Sequence, residues 1–146
     1  MDKQFEFTEI KGDLFKQTDP DTSLAHCVSR DFKMGAGIAT LFRKKFDQRH
    51  ILVSSNFQVG QVAISRDGNR FIYNLVTKEK YFQKPTNGTV REALVFMKNH
   101  AVQNDVRNIA MPRIGCGLDK LNWNTVRTMI KEIFKDTDIK ISVYYL

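Results

Sequence analysis

Apolar positions along the chain follow two periods, and the elements fall where one period gives way to the other. Residues 5–10, FEFTEI, are rich in aromatic and β-branched types, which predicts a strand. Residues 23–28, SLAHCV, form a short apolar run, the pattern of a strand buried on both faces. From Ile38 the spacing becomes helical: Ile38, Leu41, Phe42, Lys45 and Phe46 share one stripe, with a single charge at its edge. Residues 62–65 and 70–77 read as two strands joined by a turn, with Asp67-Gly68 as the hairpin signal.

The next helix is predicted to open at Thr89, because Glu92 follows at the spacing of a capping box. Val90, Ala93, Leu94, Met97 and Ala101 make its buried stripe. Residues 107–111, RNIAM, form another strand. Asn122 or Asn124 caps a last helix whose stripe is Val126, Met129, Ile130, Ile133 and Phe134, and residues 139–146 close the chain as a strand. Strands alternate with helices around one hairpin, which predicts an α/β fold with a mixed sheet in a single domain spanning residues 1–146.

In such folds ligands bind beyond the carboxyl ends of parallel strands. Two Gly-x-Gly loops follow predicted strands: Gly35-Ala36-Gly37 and Gly115-Cys116-Gly117. Glycine lets backbone N–H groups turn inward, and successive inward N–H groups cradle an anion. Two such loops at one sheet edge suit a ligand with linked phosphates. Neither loop matches the Walker pattern or the full GxGxxG of a dinucleotide fold.

Charge fits the same reading: 23 lysines and arginines against 16 acidic residues leave a net charge of +7, which favours anionic partners. The charge makes weak nucleic-acid binding an accessory expectation, although no nucleic-acid-binding signature is present. Cys27 and Cys116 form no CxxC pair, and His26, His50 and His100 are scattered, so the expectation is no metal and no disulfide. No run approaches the roughly 18 apolar residues of a membrane span. The N-terminus lacks the layout of a signal peptide, so the expected compartment is cytosol or nucleus. The expected oligomeric state is a monomer.

The segments KGDLF (11–15), LAHCVSRDFKMGAGIA (24–39), LVTK (75–78), KPT (84–86), MPRIGCGLDKLNW (111–123) and DIKISVYYL (138–146) together resemble the macrodomain family. Within that family the chain is similar to the glycohydrolases that use a lysine and an aspartate. The resemblance implies a three-layer α/β/α fold with a mixed central sheet, and a site for ADP-ribose. It implies that Asp13, with Leu14 beside it, contacts the adenine. Gly35, Ala36, Gly37 and Ile38 would form the first diphosphate loop, with Met34 before it also at the ligand. Gly115, Cys116, Gly117 and Leu118 would form the second, with Pro112, Arg113 and Ile114 before it also at the ligand. Tyr144 would pack by the adenosine. Ser29 stands where many macrodomains carry an asparagine near the distal ribose.

The residues carried over as catalytic are Lys78 and Asp119. The family's target is ADP-ribose joined through its distal ribose to a carboxylate side chain. An amine can attack the anomeric carbon and expel that carboxylate, leaving a lysyl–ribose intermediate. An ordinary lysine is only about 0.04% neutral at pH 7, so burial or a nearby cation is expected to activate it. Lys78 ends an apolar strand, and alternation turns Glu79 away from it. Asp119, just past the second glycine loop, would be the general acid/base. The implied activity is an ADP-ribose glycohydrolase acting on ADP-ribosylated proteins without a cofactor, with O-acetyl-ADP-ribose deacylation beside it. Two alternatives stay open: a reader that binds ADP-ribose without turnover, and removal of ADP-ribose from nucleic acid.

Overall fold

The computed structural model describes residues 3–32, 38–46, 57–116 and 119–146. In chain order the elements are β1 (Glu6–Lys11), α1 (Leu14–Gln17), β2 (Ser23–Ser29), α2 (Ile38–Phe46), β3 (Val62–Asp67), β4 (Arg70–Lys78), α3 (Asn87–Gln103), β5 (Asn108–Pro112), α4 (Trp123–Phe134) and β6 (Lys140–Tyr145). The strands form one sheet in the order β1-β6-β5-β2-β4-β3. β3 pairs antiparallel with β4, and every other pairing is parallel. The sheet is therefore mixed. The carboxyl ends of β1, β6, β5, β2 and β4 all open on one edge.

Two apolar layers make the fold three-layered. On one face Tyr73 and Leu75 of β4, Ile109 and Met111 of β5 and Ile141 and Val143 of β6 pack with the stripes of α3 and α4. All ten residues of those two stripes are buried, each large one contributing about 1.5–3 kcal/mol by leaving water. On the other face Leu24, Val28, Ile72 and Val76 pack with Leu14 of α1 and Phe42 of α2. β2 lies between β5 and β4 and is covered on both sides, as its uninterrupted apolar run predicted.

Three local expectations are corrected. α3 starts before Thr89: Thr86 is the N-cap, its hydroxyl accepts from Thr89 N–H, and the Thr89 hydroxyl takes the return role expected of Glu92. A threonine can replace glutamate there because its short side chain reaches the N-cap backbone at 3.1 Å. The hairpin loop is Gly68-Asn69, with φ +61° at Gly68, and Asp67 is instead the last paired residue of β3. Leu41 is 45% exposed although it lies in the expected stripe. Phe42 takes the buried place instead, stacked edge-on with Phe15 at 5.0 Å.

A buried polar pair lies in the second face. His26 stacks flat on Phe42 at 3.7 Å, and its Nε2 lies 2.6 Å from Asn74 Oδ1. The Asn74 amide nitrogen donates to the Ala63 carbonyl, so its oxygen is the acceptor and His26 carries its proton on Nε2. His26 Nδ1 has no hydrogen-bond partner among the described residues. Burial pushes the imidazole down to about 4, against a smaller opposing effect from Asn74.

Candidate active site at the carboxyl edge of the sheet

Strand β4 delivers Lys78 to the open edge through a break in register. Val28 of β2 pairs with Val76, but Ser29 pairs with Lys78, so Thr77 is skipped. The Thr77 hydroxyl is buried and lies 3.5 Å from the Val28 carbonyl. A bulge of this kind re-aims the side chain that follows it. The Arg30 N–H donates to the Lys78 carbonyl at 2.7 Å, which fixes the strand end after the bulge.

The second glycine loop brings Asp119 to the same place. After Pro112 the chain turns, and Gly115 takes φ +73°, a conformation that favours glycine. A Cβ there would stand 2.8 Å from Leu121 Cδ1. The Leu121 N–H donates to the Gly115 carbonyl at 2.7 Å, closing the loop on itself. Gly115 is thus explained by the turn and by the close approach of Leu121. Asp119 lies within the closed loop, and its Oδ1 sits 2.6 Å from Lys78 Nζ. Both side chains are largely covered, 15% exposed for Lys78 and 19% for Asp119. Sequence spacing of 41 residues is closed by parallel strands in one sheet.

Burial of Lys78 follows its strand, but the neighbouring charge is an anion rather than the expected cation. At rest the pair is an ammonium facing a carboxylate. An amine is nucleophilic only as the free base, and the Asp119 carboxylate is a proton acceptor within hydrogen-bond reach of Lys78 Nζ. Cys27 retains some solvent contact as a residue, but atoms are densely packed around its sulfur. Burial first, then the charge of Asp119, pushes its thiol up to about 12. Cys116 is pushed up as well, chiefly by burial. Both thiols therefore stay protonated near neutral pH.

The remaining predicted residues divide by what their side chains touch. Asp13 is the N-cap of α1, its Oδ1 accepting from Phe15 N–H at 2.9 Å. Leu14 is buried beneath that cap. Tyr144, half-buried on β6, packs against the same layer as Phe15 and Ile38. These three sit on the α1–α2 face of the edge. The Ser29 hydroxyl donates to the Asp31 carboxylate, and the other oxygen of Asp31 accepts from Tyr81 N–H. Arg113 lies 4.4 Å over the Tyr145 ring and 4.0 Å from Glu9, so its side chain is engaged on the α4 face. Ile114 belongs to the core of that face. Pro112 ends β5, half-buried. Met34, Gly35, Ala36, Gly37, Gly117 and Leu118 lie outside the described residues.

The sequence profile of the Macro domain family matches residues 25–130. The chain belongs to the macrodomain family. It is 49% identical over 139 residues to the protein named ADP-ribose glycohydrolase OARD1 of Homo sapiens, covering 95% of this chain and 91% of that one. The macrodomain of Thermus aquaticus DarG superposes with a TM-score of 0.86 at 24% identity, covering 97% of this chain and 99% of that one. Thermosipho africanus DarTG in complex with ADP-ribose superposes with a TM-score of 0.83 at 17% identity, covering 95% of this chain and 41% of that one. At those identities the two likenesses show the fold, a three-layer macrodomain.

Two supports of the site in this macrodomain have no signature in the sequence. The Thr77 bulge leaves no trace in composition, because threonine is an ordinary strand residue. Asp31 and Arg30 clasp the end of β4 through contacts that only the parallel β2–β4 pairing creates. Arg30 also pairs with Glu79 at 3.2 Å, which keeps that carboxylate engaged away from Lys78.

Proposed function

We propose that this macrodomain is an ADP-ribose glycohydrolase that releases ADP-ribose from acidic side chains through a lysyl–ribose intermediate. The observation that carries the reading is the covered Lys78–Asp119 pair at 2.6 Å. It lies on the sheet edge where α/β folds take their ligands. The 49% identity to a protein named ADP-ribose glycohydrolase supports the same reading.

Asp119 accepts a proton from the Lys78 ammonium. The freed Nζ bonds to the anomeric carbon of the distal ribose, and the bond from that carbon to the ester oxygen breaks. The protein carboxylate leaves with the electron pair. Water then adds its hydroxyl at the anomeric carbon and loses its other proton to the solvent, the carbon–Nζ bond breaks with its electron pair going to nitrogen, and Asp119 returns the stored proton to Lys78. ADP-ribose departs and the enzyme is restored. The partners this chemistry calls for are ADP-ribose and ADP-ribosylated proteins. A pure reader has no use for a nucleophile paired with a base, so the pair favours turnover over binding alone. The net charge of +7 favours a parallel trial on ADP-ribosylated nucleic acid.

Asp119→Ala tests the reading. Release of free ADP-ribose from an auto-modified transferase should fall about 10²–10⁴-fold, the usual share of a general acid/base. Binding of free ADP-ribose should persist, raising the unfolding free energy by about 2.7 kcal/mol at 100 times Kd. Turnover within a fewfold of the wild type would remove Asp119 from the mechanism.

A further inference from the structure

Residues 79–86 join Lys78 to α3, and this loop presents two large aromatic side chains to water. Tyr81 is 59% exposed and Phe82 72% exposed. Their rings meet at 90° with centroids 5.4 Å apart, so they form one corner rather than two separate side chains. The loop is tied down on both sides of that corner. Lys80 N–H donates to the Gln83 side-chain oxygen at 2.8 Å, and Gln83 N–H returns a bond to the Lys80 carbonyl at 3.0 Å. Tyr81 N–H donates to Asp31 at 3.2 Å, and Asp31 accepts from Ser29, the residue that pairs with Lys78 across the sheet. Pro85 is buried at the far end, next to the Thr86 cap of α3.

We propose that the Tyr81–Phe82 corner, with Lys80 and Lys84 beside it, docks the acidic polypeptide that carries the ADP-ribosylated side chain. The inference rests on the glycohydrolase reading and extends it from the sugar to what the sugar is attached to. The leaving carboxylate departs from the atom that Lys78 attacks, so the polypeptide behind it lies just outside the Lys78–Asp119 pair. The corner begins three residues beyond Lys78 and is fastened to the strand end that holds it. A surface already held in shape loses little entropy when a partner lands on it.

Charge selects the partner. Lys80 and Lys84 are both exposed, and no acidic residue lies between Lys80 and Arg91. Among the described residues the carboxylates beside the corner are already engaged, Glu79 by Arg30 and Asp31 by the Ser29 hydroxyl and the Tyr81 N–H. The modified carboxylate is an ester and carries no charge of its own, so the lysines select a polypeptide with further carboxylates flanking the modified residue, where aromatic contact and lysine charge act on the same segment. A single nucleic-acid strand fits the corner less well. Bases stacked in succession lie parallel, and rings at 90° cannot both match them.

The test compares two ligands by calorimetry on the wild-type protein: free ADP-ribose, and ADP-ribose joined to a short glutamate-rich peptide through a hydrolysis-resistant glutamine amide. The conjugate should bind about 10-fold tighter than free ADP-ribose, and the gain should shrink in high salt. The double variant Tyr81→Ser/Phe82→Ser should lose that gain and bind free ADP-ribose within about twofold of the wild type. Its melting temperature should be unchanged, because both side chains are exposed. Equal affinity for the two ligands, or a gain that survives in the double variant, would overturn the docking surface and leave the glycohydrolase reading intact. A gain seen with an oligonucleotide conjugate and absent with the peptide would also overturn it. Failure of free ADP-ribose to bind would overturn the glycohydrolase reading, and this inference with it.

Discussion

The sheet behaves differently along its length. In its middle, β5 and β6 pair in unbroken register, and Ile109, Met111, Ile141 and Val143 meet two regular helical stripes with few polar atoms between them. At the carboxyl edge regularity stops: β4 skips Thr77, Gly115 and Lys120 take positive φ, and an ammonium and a carboxylate sit covered at 2.6 Å. The middle holds the fold with generic apolar contacts that many sequences could supply. The edge spends regularity on placing two particular side chains. Changes in the middle should therefore cost stability and spare the chemistry of whatever remains folded, while changes at the edge should do the reverse.

Phe134→Ala should be the largest stability loss. Phe134 is fully buried in the α4 stripe, and an emptied aromatic site costs about 3–5 kcal/mol. Urea unfolding should show the shift, while turnover per folded molecule stays near normal. A loss of turnover at full stability would break the division between middle and edge.

The buried histidine gives a pH dependence of intermediate size. Its folded-state value, about 4, lies below the ordinary 6.5, so the fold holds the neutral ring and the unfolded chain takes up a proton first. The contribution is complete above about pH 6.5 and is lost as pH falls toward 4, by about 3 kcal/mol in all. His26→Gln should flatten the stability profile across that window. An equally steep profile in the variant would assign the pH dependence to other groups.

Gly115→Ala should cost less than either of these, about 1–2 kcal/mol for the positive φ, since Leu121 Cδ1 is the end of a flexible side chain that can shift. Its effect on turnover should exceed its effect on stability, because the loop it closes carries Asp119. Equal proportional effects on both would blur the contrast.

The middle of the molecule was legible in the sequence because periodicity reports burial. Every residue named in the α3 and α4 stripes is buried, and Asn122 caps α4. Leu41 shows where that logic stops: a stripe position says which face a residue shares, and the neighbours decide how deep it lies. At the edge, the resemblance singled out Lys78 and Asp119, and the parallel β2–β4 pairing with the closed loop at Gly115 brings them within reach of each other. Arg113, just before the second loop, sends its planar cation to Tyr145 and Glu9 on the α4 face, partners distant in sequence. Such pairings depend on tertiary contact and leave no local signal.

The central claim is that Lys78 attacks the sugar. Lys78→Arg separates attack from charge, since guanidinium keeps the positive charge but stays protonated and is a poor nucleophile. Prolonged incubation with ADP-ribose, then intact mass and peptide mapping, reads the outcome directly. The account predicts an adduct on Lys78 in the wild type, no adduct in the arginine variant, and turnover in that variant as low as in Lys78→Ala. An arginine variant with near-normal turnover would contradict covalent attack, leaving Asp119 and water to carry the reaction with a cation beside them.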